Sequence, residues 1–120
     1  MKRIVCDLDN TITLDASSDD YRTKQSNYEL IAKLQEYREH GYEIIIFTAR
    51  NMATHKGDLG KIEKLTLPII EEWLEIHSVP YDEIIIGKPW CGDGFYVDDK
   101  AIRPQEFISL TEKEIFDLVK

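Results

Sequence analysis

The 120-residue chain contains little cysteine, glycine or proline: two, six and four residues, respectively. Cys6 and Cys91 fit neither a disulfide framework nor the spacing of a metal-binding cluster, so we interpret both as reduced structural thiols. No repeat, low-complexity segment or linker rich in glycine and proline divides the sequence. These absences predict a single domain spanning residues 1–120.

Long apolar runs are also missing. The first apolar run, residues 4–6, is interrupted by Asp7. It is therefore too short for the core of a signal peptide, and no other stretch approaches the length that crosses a membrane. We expect a cytoplasmic protein that does not associate with a membrane.

Basic residues are outnumbered by acidic ones. Lys and Arg number 15 against 23 Asp and Glu, which gives a formal net charge of -8. This charge repels a polyanion, and no basic stripe interleaved with aromatic residues offsets it, so a nucleic acid is not an expected partner. The sequence also lacks a Ser nucleophile elbow, a Walker loop and a glycine-rich dinucleotide turn.

The remaining pattern alternates apolar strands with amphipathic helices. Apolar runs predict strands at residues 2–6, 42–47 and 83–86, a very short one at 95–97, and an edge strand at 107–108. Helical spacing follows a capping box at Ser26 and stops at Gly41, returns over 66–77, and begins again at a capping box at Thr111. This alternation predicts an α/β fold, a three-layer Rossmann-like sandwich with a mainly parallel sheet.

Polar clusters follow the predicted strands. Because ligands of such sheets bind outside the carboxyl ends of the strands, we expect these clusters to meet in one crevice. The residues concerned are Asp7, Asp9, Thr48, Arg50, Lys88, Asp98 and Asp99. Asp7 and Asp9 lie two positions apart and repel each other unless they are neutralised, for which a hard divalent cation such as Mg²⁺ is suited. Asp98 and Asp99 can supply further acid ligands.

The string Asp7-Leu8-Asp9-Asn10-Thr11, together with Thr48, Lys88 and the pair Asp98-Asp99, resembles the four ordered motifs of haloacid dehalogenase (HAD) superfamily phosphatases. The resemblance covers nearly the whole chain. It implies that Asp7 is the nucleophile and a metal ligand, and that Asp9 is the acid/base residue whose backbone carbonyl also binds Mg²⁺. Thr48 and Lys88 would then hold the transferring phosphoryl group.

Some positions leave alternatives open. Asn10 occupies a position where many such phosphatases have Gly, and we include it among the candidate phosphate-binding residues. Arg50 either clamps a substrate anion or faces solvent. In the fourth motif, Asp98 is the first choice for the metal and Asp99 the second, because an apolar run precedes them. Asp93 is the alternative, because Gly92-Asp93 resembles a variant of that motif.

The resemblance also implies a substrate class. The intervals 12–25 and 51–65 are too short for an inserted cap domain, so an open crevice must be covered by a large substrate, by these loops, or by a neighbouring subunit of a homo-oligomer. The strings 87–92 and 95–99 resemble small phosphatase-like proteins of capsular polysaccharide biosynthesis, which favours a sugar phosphate or another small phosphorylated metabolite. The alternatives are a receiver-type phosphoacceptor domain, a phosphoryl-transferring mutase and a non-catalytic binding protein.

Overall fold

The computed structural model describes residues 1–14 and 20–120. A three-stranded parallel sheet lies within residues 3–86. Its strands are β1 (Arg3–Cys6), β4 (Glu43–Thr48) and β5 (Glu83–Ile86), in the spatial order β1-β4-β5. Two further strands, β2 (Thr13–Leu14) and β3 (Gln25–Ser26), form a small antiparallel ladder. The α/β class and the first three predicted strands are confirmed.

The central strand carries most of the buried surface of the sheet. Ile44 and Ile46 are fully buried and Ile45 nearly so, as a continuous apolar run in a parallel strand predicts. In β1 only Cys6 is buried, because among the described strands this one pairs on a single side. The sheet therefore depends on β4 for its apolar core.

Helix α1 (Tyr28–Glu39) begins one residue later than the sequence pattern predicts. Ser26 is paired with Thr13 in the small ladder, so Asn27 caps the helix instead, accepting a hydrogen bond from the Leu30 N–H at 3.4 Å. The helix ends at Glu39, before the predicted stop residue Gly41, whose φ of +87° suits a residue without a Cβ.

The second helical run begins earlier than expected. Asp58 caps α2 (Leu59–Lys61), a π-helical turn follows over Ile62–Thr66, and α3 (Leu67–Ile76) completes the run. Residues 59–61 have no apolar periodicity, which explains why the sequence suggested a loop there. The buried face of this run contributes Ile62, Ile70, Trp73 and Leu74 to the core.

Residues Cys91–Lys120 form a second compact unit after a first unit of Met1–Trp90. The second unit contains α4 (Pro104–Ser109) and α5 (Glu112–Val119), the latter with the predicted capping box between Thr111 and Glu114. Hydrogen bonds from Thr111, chiefly from its backbone N–H, lower the pKa of Glu114. In the described residues, no helix is long and apolar enough to span a membrane.

Two strand predictions in this unit are wrong. Residues 95–97 form no strand, because an apolar triplet becomes a strand only where its backbone groups pair with a neighbouring strand. The predicted edge strand at 107–108 lies in α4 instead. Pro104 in the first turn and the Glu106 carboxylate, which accepts from the Arg103 N–H at 2.8 Å, favour the helix.

Trp73 makes a hydrogen bond that ties α3 to the segment before β3. Its indole Nε1 donates to the Lys24 carbonyl at 2.9 Å, in a buried environment. We expect Trp73→Phe to lower the free energy of unfolding by about 1–3 kcal/mol, because a buried acceptor loses this donor. Chemical denaturation measures the change. The matched control is Trp90→Phe, at an exposed position; equal losses in the two variants would contradict the prediction.

Candidate active site

A tight turn directly after β1 shapes the first part of the candidate site. The Leu8 carbonyl accepts hydrogen bonds from the N–H groups of Thr11, Ile12 and Thr13 at 3.3, 2.9 and 3.0 Å. Leu8 and Ile12 are buried in the core, which anchors the turn. Asn10 adopts a φ of +57°, a left-handed conformation that Gly and Asn tolerate best. Asn at this position therefore keeps the turn that Gly would form.

Asp7 receives two polar contacts on its two carboxylate oxygens. The Thr11 hydroxyl donates to Oδ2 at 3.2 Å, and Lys88 Nζ lies 3.5 Å from Oδ1. The Asp7 side chain remains 38% exposed. The structure thus brings together two predicted site residues, Asp7 and Lys88, that are far apart in sequence. Thr11 was not predicted as a site residue, although it is the fifth residue of the same motif string.

Lys88 reaches this position because β5 runs parallel to β4. Ile86 is paired with Thr48, and the Lys88 N–H donates to the Thr48 carbonyl at 3.1 Å. Gly87, between these positions, has a φ of +87°, which turns the chain at the end of the strand. The ammonium of Lys88 also lies 5.9 Å from the centroid of the Phe47 ring.

Asp9 forms a bidentate ion pair with Arg50. Arg50 Nη2 donates to Asp9 Oδ1 at 2.7 Å, and Nε donates to Oδ2 at 3.1 Å. The Arg50 side chain is only 1% exposed, so the alternative that it faces solvent is wrong. Among the described residues, Nη1 of Arg50 is buried without a hydrogen-bond partner. The anion that Arg50 contacts is the carboxylate of Asp9.

Thr48 lies at the end of β4 and is buried. Its hydroxyl oxygen accepts the Arg50 N–H at 3.0 Å, and within the described ranges no acceptor is found for the hydroxyl proton. The Asn10 N–H donates to the Thr13 hydroxyl at 3.2 Å, whereas the Asn10 side chain is exposed. Thr48 therefore keeps a donor, and the phosphate-binding role of Asn10 stays a prediction.

The segment before β3 contributes an aromatic residue that sequence reasoning missed. The ring of Tyr21, in a 3-10 turn at Tyr21–Thr23, lies with its centroid 4.2 Å from Cζ of Arg50. Lys24 Nζ lies 5.7 Å from the centroid of the same ring. This part of the chain has no apolar periodicity, so the sequence held no signal for the contact. Of the loop predicted over 12–25, residues 15–19 lie outside the described residues.

Each of the two carboxylates is paired with its own side-chain cation, Asp7 with Lys88 and Asp9 with Arg50. Charge neutralisation alone therefore does not require a metal. Over the ranges 1–14 and 20–120, no three acidic, His or Cys side chains form a ready metal cluster. The Asp9 carbonyl accepts no hydrogen bond from the described residues. With the Asp7 carboxylate it offers two oxygen donors, which suits Mg²⁺ completed by water and phosphate oxygens.

Asp98 and Asp99 lie in the second unit, and both are exposed. Asp98 Oδ1 accepts a hydrogen bond from the Lys100 N–H at 2.9 Å. The apolar strand that favoured these two residues over Asp93 is not formed. Their assignment to the metal therefore depends on the motif resemblance alone and stays a prediction.

Cys6 lies at the end of β1, directly before Asp7. Burial raises the pKa of its thiol to about 12, with the negative charge of Asp7 adding to the rise and Lys88 opposing it. A thiol with this pKa holds almost no thiolate near neutral pH. Cys6 therefore acts as a structural residue beneath the site.

The comparisons with known proteins identify one protein that is similar over its full length. A crystal structure of an MCSG target from Vibrio cholerae is 54% identical, with a TM-score of 0.96, and the match covers 99% of this chain and 97% of that one. The two chains belong to one protein family, for which that description names no activity. No family model and no curated protein matches the chain.

A more distant neighbour shares only the fold. A chain in the structure of a Pnkp1/Rnl/Hen1 complex is 21% identical, with a TM-score of 0.54. The match covers 90% of this chain but 34% of the other, so this chain spans about a third of that protein.

We expect the two cysteines to differ in reactivity. In the native protein at about pH 8, iodoacetamide should modify Cys91, which is partly exposed, and leave Cys6 unmodified because its thiol is buried and protonated. Mass spectrometry of peptides measures the modification, and unfolding in denaturant should expose both thiols. Modification of Cys6 in the native protein as fast as in the unfolded chain would contradict this placement.

Proposed function

We propose that this chain, a member of the same family as the Vibrio cholerae protein, is a Mg²⁺-dependent phosphatase that forms a phosphoaspartate on Asp7. The observation that carries the proposal is the convergence of Lys88 Nζ and the Thr11 hydroxyl on the half-exposed Asp7 carboxylate. This convergence lies at the carboxyl end of a parallel sheet, where α/β proteins bind ligands. A carboxylate held in this way is an oriented nucleophile.

In the first step, an Asp7 oxygen attacks phosphorus and the bond from phosphorus to the ester oxygen breaks. Asp9 enters this step as the protonated carboxylic acid and donates that proton to the departing alkoxide, which leaves it as a carboxylate. In the second step, Asp9 takes a proton from water, the oxygen of that water attacks phosphorus, and the bond to Asp7 breaks. Inorganic phosphate is released and both carboxyl groups return to their starting states. The phosphoaspartate divides one difficult hydrolysis into two displacements.

The transferring phosphoryl group distributes negative charge over its equatorial oxygens, so fixed donors and cations should surround it. Lys88 supplies the cation, and the Thr48 hydroxyl retains a proton that it can donate. The Asp7 carboxylate and the Asp9 carbonyl would hold Mg²⁺, which adds positive charge against the phosphoryl oxygens when bound. Asp98 and Asp99 are proposed as further acid ligands from the motif resemblance.

The same resemblance supports a finer description of the fold and the substrate. We assign a HAD-like core without a cap, since only a two-stranded ladder and a short turn are described between β1 and α1. A sugar phosphate or similar small metabolite of polysaccharide biosynthesis is the proposed substrate. This choice depends on the strings 87–92 and 95–99.

Replacement of Asp7 and replacement of Asp9 should impair different steps of the reaction. We expect Asp7→Asn to abolish turnover and covalent-state trapping by beryllofluoride, because an amide is not an anionic nucleophile. Asp9→Asn should still be phosphorylated by an activated ester, whose leaving group needs no proton, and should then release phosphate slowly. Stopped-flow kinetics and mass spectrometry of the phosphoryl group measure the two steps.

Asp117→Asn is the matched control, since this exposed carboxylate on α5 pairs only with Lys113 among the described residues. It should retain wild-type kinetics, and removal of Mg²⁺ by a chelator should stop turnover. Wild-type turnover in Asp7→Asn, or a phosphoryl group on another residue, would refute the proposal.

Lys88→Ala should lower kcat/KM, because the variant loses the cation beside Asp7. The fall should correspond to a loss of about 2–4 kcal/mol of transition-state stabilisation. Steady-state kinetics on the same esters measure the loss. Lys113→Ala is the control, because that lysine is 86% exposed on α5. An unchanged kcat/KM in Lys88→Ala would remove this residue from the site.

A further inference from the structure

The backbone of Arg50 is fixed by a contact that does not involve Asp9. It follows β4 by two residues, and its N–H donates to the buried hydroxyl of Thr48 at 3.0 Å. Its side chain is almost entirely buried. A long, flexible side chain thus begins from a fixed point, which reduces the number of rotamers available to its guanidinium.

The fork of the guanidinium fixes the orientation of Asp9. Nε and Nη2 each donate to a different carboxylate oxygen of Asp9, which defines the plane of the carboxylate. An ionised carboxylate has about four acceptor positions, so this fork leaves one free on each oxygen. Asp9 can therefore exchange a proton with a leaving group or water while it stays bound to Arg50.

The ring of Tyr21 lies close to the guanidinium of Arg50. Its ring centroid lies 4.2 Å from Cζ of Arg50, a distance at which the aromatic face attracts the cation. The same segment is anchored to the core, because the Lys24 carbonyl accepts from the buried Trp73 indole at 2.9 Å. A continuous set of contacts therefore connects α3, the segment at 21–24, Arg50 and Asp9.

This arrangement is poorly explained by stability alone. The guanidinium of Arg50 is buried and loses hydration energy that its attraction to Asp9 often only offsets, and one of its donors, Nη1, is also unsatisfied among the described residues. A direct clamp on substrate is also disfavoured, since two of the three guanidinium nitrogens are already bound to Asp9. Orientation of Asp9 is the role that uses both of these contacts.

We infer that Arg50, held by the ring of Tyr21, is a positioning residue that orients the Asp9 carboxylate for proton transfer. The inference deepens the proposed phosphatase function and depends on it. A proton donor displaced by about 1 Å can lose on the order of 10²-fold in rate. Disturbing the stack of Tyr21 on Arg50 should therefore affect the steps that need Asp9 and spare the attack by Asp7.

The test compares Tyr21→Leu and Arg50→Lys with Tyr21→Phe, which keeps the ring. Two esters are used: an alkyl phosphate, whose leaving group needs a proton, and dinitrophenyl phosphate, whose leaving group does not. For Tyr21→Leu and Arg50→Lys we expect kcat on the alkyl ester to fall about 10- to 100-fold with little change in KM. On the activated ester, the burst that reports Asp7 phosphorylation should persist, followed by slow release of phosphate.

Tyr21→Phe should match the wild type on both esters. A rise in KM without a fall in kcat would show that Arg50 clamps substrate. Loss of the phosphorylation burst on the activated ester, to the same degree as kcat falls on the alkyl ester, would show a structural role; either result overturns the inference. If Arg50→Lys fails to fold, the Tyr21→Leu variant by itself still tests the inference, because it leaves every hydrogen bond of Arg50 in place. If the wild-type protein does not turn over either ester, the phosphatase proposal itself is overturned. If the wild type is active and the Tyr21→Leu and Arg50→Lys variants match it, only the role of Arg50 is overturned.

Discussion

The parallel register of β1, β4 and β5 is the constraint on which the candidate site depends. Cys6 pairs with Ile46, and Thr48 pairs with Ile86, so the segments that follow the three strands leave the sheet at the same edge. Asp7, Arg50 and Lys88 each follow one of these ends. A shift of one residue in the register would turn each following side chain to the opposite face and separate the contacts.

Charge balance is the second property of the site. Two carboxylates two residues apart would repel each other, but the neighbouring strand ends place one cation beside each of them. The two pairs differ in kind. The Asp9 pair is bidentate and buried on its Arg50 side, which favours a fixed orientation, whereas the Asp7 pair is longer, at 3.5 Å, and more exposed. This difference suits one carboxylate that must be positioned and another that must be reached by substrate.

The segment between β1 and α1 links the site to the core without a large insertion. Asn27 caps α1 and also donates from Nδ2 to the Thr11 carbonyl at 3.1 Å, so the start of this helix holds the turn that carries Asp7 and Asp9. Trp73 anchors the same segment from α3. Short connections can therefore orient catalytic groups when each is tied to a buried element.

The sequence by itself determined the features that depend on local pattern: the strands β1, β4 and β5, the end of α1 before Gly41, and the placement of Asp7, Asp9, Thr48 and Lys88 at or just after strand ends. Periodicity and strand ends are local properties, and parallel alignment then makes those ends neighbours. Only the tertiary structure decided that Arg50 is buried against Asp9, that Tyr21 stacks on it, and that residues 95–97 and 107–108 form no strand. Side-chain pairing and strand formation depend on partners that are distant in sequence, and no local pattern carries that information.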